Sequence, residues 1–120
     1  MGKFRELKVW VKARDLAAQI YRITAAGEFG RDFGLRDQIR RAAVSIPSNI
    51  AEGDELDTDR QSVRSFYIAK GSTAEVLTQA EIAREIGYLN TTQFDQIETE
   101  CTALAGMLTR LIQARRKPQN

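Results

Sequence analysis

Five basic side chains near the start of the chain, Lys8, Lys12, Arg36, Arg40 and Arg41, are spaced to present positive charge from helices. Lys8 and Lys12 lie one turn apart, as do Arg36 and Arg40. Arg115, Arg116 and Lys117 add a second cluster near the other terminus. Such groups contact phosphate without reading bases, so binding through them would be sequence-tolerant and strongly salt-dependent. The structural use of the same residues is an ion pair between helices, with Glu75, Glu81 or Glu85 as partner for Arg40 and Arg41. A second polar set, Ser45, Ser48, Asn49 and Glu52, surrounds Pro47 at steps of three and four, which places Ser45, Asn49 and Glu52 on one helix face. These residues either form a small polar ligand site or satisfy backbone groups that Pro47 releases, with Glu52 pairing an arginine of a neighbouring helix.

Several chemistries are excluded. The chain has no histidine and one cysteine, Cys101, so it offers no Ser-His-Asp or Cys-His nucleophile, no histidine acid–base pair, no disulfide and no zinc site. Glu52 has no second acid, metal ligand or nucleophile near it in sequence, which is poor ground for catalysis. Gly71-Ser72 falls in mid-helix without the strand and glycine-rich loop of a nucleotide site, and is read as permitting close helix approach. Trp10, Tyr67 and Tyr88 have faces for base stacking, but their stripe or turn positions suit packing. The expectation is a non-enzymatic protein with no cofactor and no metal.

The elements that must position these residues are helical throughout. A chain of 120 residues argues for one domain. Its net charge of +2 divides into +5 over residues 1–50, −7 over 51–109 and +4 over 110–120, which suggests faces of opposite sign. A first helix is predicted over about 5–26, with Trp10, Ala13, Ala17, Ile20 and Thr24 on one stripe and Leu16 and Ile23 widening it. Gly27, Gly30 and Gly34 break it. A second helix, about 34–52, points Leu35, Ile39, Ala42, Ala43, Ile46 and Ile50 inward, carries a kink at Pro47 and stops at Gly53. The acidic stretch Asp54–Asp59 is the linker, and Thr58 to Gln61 has the capping-box arrangement that opens a third helix, about 59–86.

That third helix carries two apolar stripes, one through Val63, Phe66, Ala69, Val76, Ala80 and Ala83, the other through Ile68, Leu77, Ile82 and Ile86. Two stripes suggest burial against another subunit. A turn at Gly87–Asn90 leads to a fourth helix, about 92–116, capped by Asn90 or Thr91. Its seam of Phe94, Ile97, Cys101, Leu104, Leu108 and Leu111 is that of a left-handed bundle. The tail arginines and Lys117 suit the helix dipole, and Pro118 ends the helix. The expected architecture is an all-α, antiparallel up-down-up-down four-helix bundle over residues 1–120. No targeting or membrane-spanning segment is read, and Gly2 does not start a myristoylation signal, which implies a soluble cytoplasmic protein of bacterial type.

The run QIRRAAVSIPSNIAEG at 38–53, together with Phe66–Ser72, Glu75, Gln79 and Gly87-Tyr88-Leu89, closely resembles the four-helix-bundle proteins called 23S rRNA intervening sequence proteins (the S23 family). Trp10, Ala13 and Tyr21 fit that family's first helix. Two departures are visible: Gly30 follows Phe29 where the family often has Phe-Pro, and the chain is acidic after Gly53 where many members are basic. The resemblance implies a small bundle that assembles into ring-shaped homopentamers, with no defining reaction. A structurally similar group serves diversity-generating retroelements as accessory proteins that bind nucleic acid and a reverse transcriptase. The resemblance also marks Ser45, Pro47, Ser48, Asn49, Glu52, Gly53, Gly71 and Ser72 as motif residues, read as structural. The expected function is a homo-oligomeric binding or adaptor module contacting RNA or DNA through its basic patches. The alternative is a protein-interaction scaffold whose acidic region recruits a basic partner such as a reverse transcriptase.

Overall fold

The computed structural model describes residues 3–56 and 58–116. A 3-10 turn at Phe4–Glu6 precedes five helices: α1 Lys8–Ile23, α2 Gly27–Arg31, α3 Phe33–Glu55, α4 Asp59–Glu85 and α5 Thr91–Arg116. No strand occurs among the described residues. The four long helices match the four expected, with shifted ends. α1 is shorter than predicted because Leu7 is extended at its start, and at its end Thr24 turns its hydroxyl back to the Ile20 carbonyl at 2.7 Å. The glycine-rich break holds one short helix, α2, which buries Phe29 against Tyr88 with ring centroids 5.4 Å apart.

Capping chemistry sets the remaining boundaries. The Asp32 carboxylate accepts from Leu35 N (3.1 Å) at the start of α3 and from the Tyr88 hydroxyl (2.9 Å), which pins that start to the turn before α5. Thr58 Oγ1 accepts from Gln61 N at 3.3 Å, as the capping-box spacing implied. At α5, Asn90 Oδ1 accepts from Gln93 N (2.8 Å) while Gln93 Oε1 accepts from Asn90 N (2.9 Å), so Asn90 is the cap and the box is reciprocal. Gly87 makes the turn after α4 with φ +86°, a conformation that favours glycine.

Gly53 corrects the sequence reading. It lies inside α3, which continues to Glu55, and it is buried rather than terminal. A Cβ there would sit 2.5 Å from Phe66 Cε1, so the missing side chain is what lets the aromatic ring of α4 seat on the backbone of α3. Gly71 corrects it in the opposite sense: it is exposed, and an added Cβ would meet nothing within 4 Å, so it permits no close approach within the chain.

The core runs the length of the molecule, which extends 53 × 24 × 21 Å. Ala13, Leu16 and Ile20 of α1 meet Ile39, Ala43, Ile46 and Ile50 of α3, while Phe66, Ala69, Val76, Ala80 and Ala83 of α4 face α5 and α3. The α5 seam is as read up to Leu108, but Ile112 rather than Leu111 is its last buried member. A straight helix of 3.6 residues per turn drifts from a strict heptad, so the final step is four. The second apolar stripe of α4 divides. Leu77 is half-buried against the core, nine residues and therefore about half a turn away from Ile68. Ile68, Ile82 and Ile86 share the outer face and stay 45, 46 and 51 % exposed.

Candidate functional site

Four of the motif residues, Ser45, Asn49, Gly53 and Ser72, meet on the seam between α3 and α4, whereas Gly71 faces outward. Asn49 Nδ2 donates to the Ser45 carbonyl (2.8 Å) and to Ser45 Oγ (3.0 Å), and Ser72 Oγ of α4 donates to the same Ser45 Oγ (2.9 Å). Ten residues further back on α4, Ser62 Oγ donates to the Gly53 carbonyl at 2.7 Å, with Ser62 fully buried. Advancing along α4 therefore recedes along α3. Asn49 serves Ser45 and not Ala43, the carbonyl that loses its helical donor at Pro47, so the expected repair by Asn49 is not made. Ser48 and Glu52 are exposed, and Glu52 makes no ion pair among the described residues. The nearby acid that does is Asp54, 3.5 Å from Arg115.

Two grooves open along this seam. One, of 560 Å³, is lined by Arg41, Ser45, Ser72, Glu75 and Gln79 among others, and the Gln79 Oε1 atom is buried there without a hydrogen-bond partner among the described residues. The other, of 320 Å³, lies between Asn49, Glu52, Arg64 and Ile68. A wider opening than either, 940 Å³, lies elsewhere, between α1 and α5.

The basic residues do not form one patch. Arg40 Nε donates to Thr24 Oγ1 (2.8 Å), its Nη2 donates to the Tyr21 carbonyl (3.3 Å), and its guanidinium stacks on the Tyr21 ring at 4.4 Å. It therefore places positive charge at the C-terminus of α1 and pairs with none of Glu75, Glu81 or Glu85. Arg84 holds the last two, and Glu81 raises its pKa above the ordinary value by hydrogen bond and charge. Arg36 donates to Asp37 Oδ1 (2.9 Å) and to the Gly30 carbonyl (3.1 Å). Lys12 bridges to Glu100 of α5 at 2.9 Å. Arg115, beside Asp54, lies at the far end of α3 from Arg36, about 27 Å away at the helical rise of ~1.5 Å per residue. Lys8 and Arg41 are exposed and make no ion pair among the described residues. Lys117 and Pro118 lie outside those residues.

One group escaped the sequence reading. Arg116 Nη1 donates to the exposed Tyr67 hydroxyl at 3.0 Å, and Arg60 and Arg64 precede Tyr67 by seven and three residues, on the same face of α4. The i, i+4, i+7 spacing was available; its link to Arg116 required the fold. Burial pushes the Cys101 thiol up to about 12, which keeps it protonated and unreactive at neutral pH, and the Tyr88 phenol is raised by its bond to Asp32. Among the described residues no three His, Cys, Asp or Glu side chains gather to hold a metal, and no helix is long and apolar enough to cross a membrane.

A long helical bundle whose signature polar residues bind two of its own helices together belongs to the class of small all-α packing modules. The chain is a member of the 23S rRNA-intervening sequence protein family, whose sequence profile matches residues 5–110. In fold it is similar to a solved protein of unknown function from the S23 ribosomal protein family of Bacteroides thetaiotaomicron VPI-5482. The two share 22 % identity with a TM-score of 0.80, over 87 % of this chain and 97 % of that one. No curated protein matches it in sequence.

Proposed function

We propose that the protein is a non-enzymatic, self-associating helical bundle that acts as a binding or adaptor module, with the outer face of α4 as the contact between copies. The observation that carries this is the triplet Ile68, Ile82 and Ile86, about half-exposed on one face of a helix whose opposite face is already core. Covering such side chains is worth on the order of 1 kcal/mol each, since they are half-buried at the start. The receding contacts of α3 and α4 support the up-down-up-down order, and Pro47 within α3 supports a bend there. Five copies in a ring is the count that the family resemblance suggests. Sedimentation of the full chain tests the reading. An assembly at a multiple of 13.5 kDa, reduced to monomer by Ile82→Asp/Ile86→Asp with helicity retained, is expected. A wild-type monomer at tens of micromolar overturns it.

A second reading, contact with RNA or DNA, is supported by Tyr67 and Arg116 beside Arg60 and Arg64, which combine a stacking face with positive charge. Repetition in an assembly multiplies that charge. Fluorescence anisotropy with labelled single strands should show binding that weakens steeply between about 50 and 200 mM salt and is lost in Arg64→Glu/Arg116→Glu. Absence of binding at low salt removes this reading. The protein-scaffold alternative would then lead, although Asp54, one acid of the stretch it relies on, already faces Arg115.

A further inference from the structure

Among the described residues, the large exposed apolar side chains fall into two groups. Tyr67, Ile68, Ile82 and Ile86 lie on α4, whereas Phe33 and Val44 lie on α3, where Arg40 between them stacks on exposed Tyr21. The two helices share one spacing. Eleven residues make about three helical turns, so Phe33 and Val44 occupy one face of α3 about 16 Å apart, and Gly71 and Ile82 occupy one face of α4 at the same separation. Gly71 is exposed in the middle of α4, where glycine weakens a helix relative to alanine, and an added Cβ there would meet nothing within 4 Å. What this glycine offers is a bare stretch of outward-facing backbone, open to the close approach of another helix.

Resting on the self-association proposed above, we infer that the outer face of α3 in one copy packs on the outer face of α4 in the next, with Val44 of the partner subunit seated over Gly71. Running the two helices antiparallel then brings the partner's Phe33 to Ile82. The charges fit this register. Exposed Glu75 and Glu85 lie four and fourteen residues beyond Gly71, while exposed Arg41 and Arg31 lie three and thirteen residues before Val44, so acid meets base at both levels. Within the chain α3 also runs antiparallel to α4. The partner's α3 therefore runs parallel to this copy's α3, and successive copies stand side by side with one polarity. Contact between two different faces is head to tail. Because those faces belong to adjacent helices, its repetition turns each copy about an axis along the bundles and closes a ring, instead of pairing two copies about a two-fold.

The test is sedimentation of the full chain, of Val44→Asp, of Gly71→Gln and of the two variants mixed, each checked for helicity by circular dichroism. Both positions are exposed, so the variants should fold. Each spoils one face and leaves the other, so each alone is expected to associate at least ~10-fold more weakly than the wild type. Their equimolar mixture should recover a dimer and nothing larger, because the intact α3 face of Gly71→Gln meets the intact α4 face of Val44→Asp. A short thiol cross-linker reads the contact directly: Val44→Cys should join to Gly71→Cys and neither variant to itself, Cys101 being buried. Wild-type association in Val44→Asp, a mixture no better than its parts, or cross-linking of Gly71→Cys to itself overturns the inference. If Ile82→Asp/Ile86→Asp dissociates the assembly in any of those cases, self-association through α4 stands and only the α3 partner face fails. A monomeric wild type overturns both proposals.

Discussion

The seams α3/α4 and α1/α5 are built from opposite materials. Along α3/α4, small residues remove bulk at the contact: Gly53 admits the Phe66 ring, and Ser62, Ser72 and Ser45 spend their hydroxyls on the facing helix. Along α1/α5, a 940 Å³ groove opens between the helices, and the Lys12–Glu100 ion pair bridges them. Four of the family-motif residues, Ser45, Asn49, Gly53 and Ser72, make their contacts at the first seam. Within the motif, Gly53 marks a point where α3 and α4 must approach closely.

The sharpest way to break this comparison is to put a methyl group on Gly53. Gly53→Ala gains roughly 1 kcal/mol of helix propensity, but its Cβ must displace an aromatic ring with a fully buried face. Overpacking of this kind costs about 1–3 kcal/mol, so the variant should lose stability and melt several degrees lower. Gly71→Ala is the control, because its Cβ meets nothing and the propensity gain of up to ~1 kcal/mol should appear as added stability. Trimming the ring with Phe66→Leu in the Gly53→Ala background should cost less than Phe66→Leu alone, a coupling read by a double-mutant cycle from urea melts. Equal effects of alanine at Gly53 and Gly71 would mean that close approach does not distinguish this seam.

Next in size is the hydroxyl of Ser62. Its bond to the Gly53 carbonyl lies wholly inside, so Ser62→Ala leaves an acceptor without its cross-helix donor and should cost about 1 kcal/mol in a urea melt, partly offset by alanine's helix propensity. Asn49→Ala, on a half-buried network, should cost less. A gain of stability in Ser62→Ala would show that the seam is held by packing alone.

How far the sequence carried these features follows from their physics. The α5 seam and the caps at Thr58 and Asn90 were legible because periodicity and capping are local. Gly53 was misread because glycine serves both helix ends and close contacts, and only Phe66, thirteen residues on, decides between them. Arg40 was assigned to phosphate or acid because its true acceptors, Thr24 Oγ1 and the Tyr21 carbonyl, belong to a helix end that no spacing rule connects to it. The five-residue α2 is too short for a periodic signal. The half-exposed isoleucines were visible as a second stripe, but Leu77 was grouped with them although the helix turns it inward.

The smallest expected effect falls on the open seam. Lys12 and Glu100 keep about a third of their side-chain surface in water, at 32 and 33 %, so their attraction is diluted by solvent. Removing either partner should cost at most ~0.5 kcal/mol at low salt and nothing measurable at 0.5 M, where the screening length falls below about 5 Å. Replacing both by leucine should leave stability unchanged or slightly raised, because the pair's loss is matched by apolar stems that cover the groove floor at Leu16. Urea melts of Lys12→Ala, Glu100→Ala and the double leucine variant read this directly. A loss above ~2 kcal/mol in Lys12→Ala would show that the ion pair holds α1 to the bundle. The division between a packed seam and a loosely bridged one would then fail, because α1 would depend on α5 as closely as α4 depends on α3.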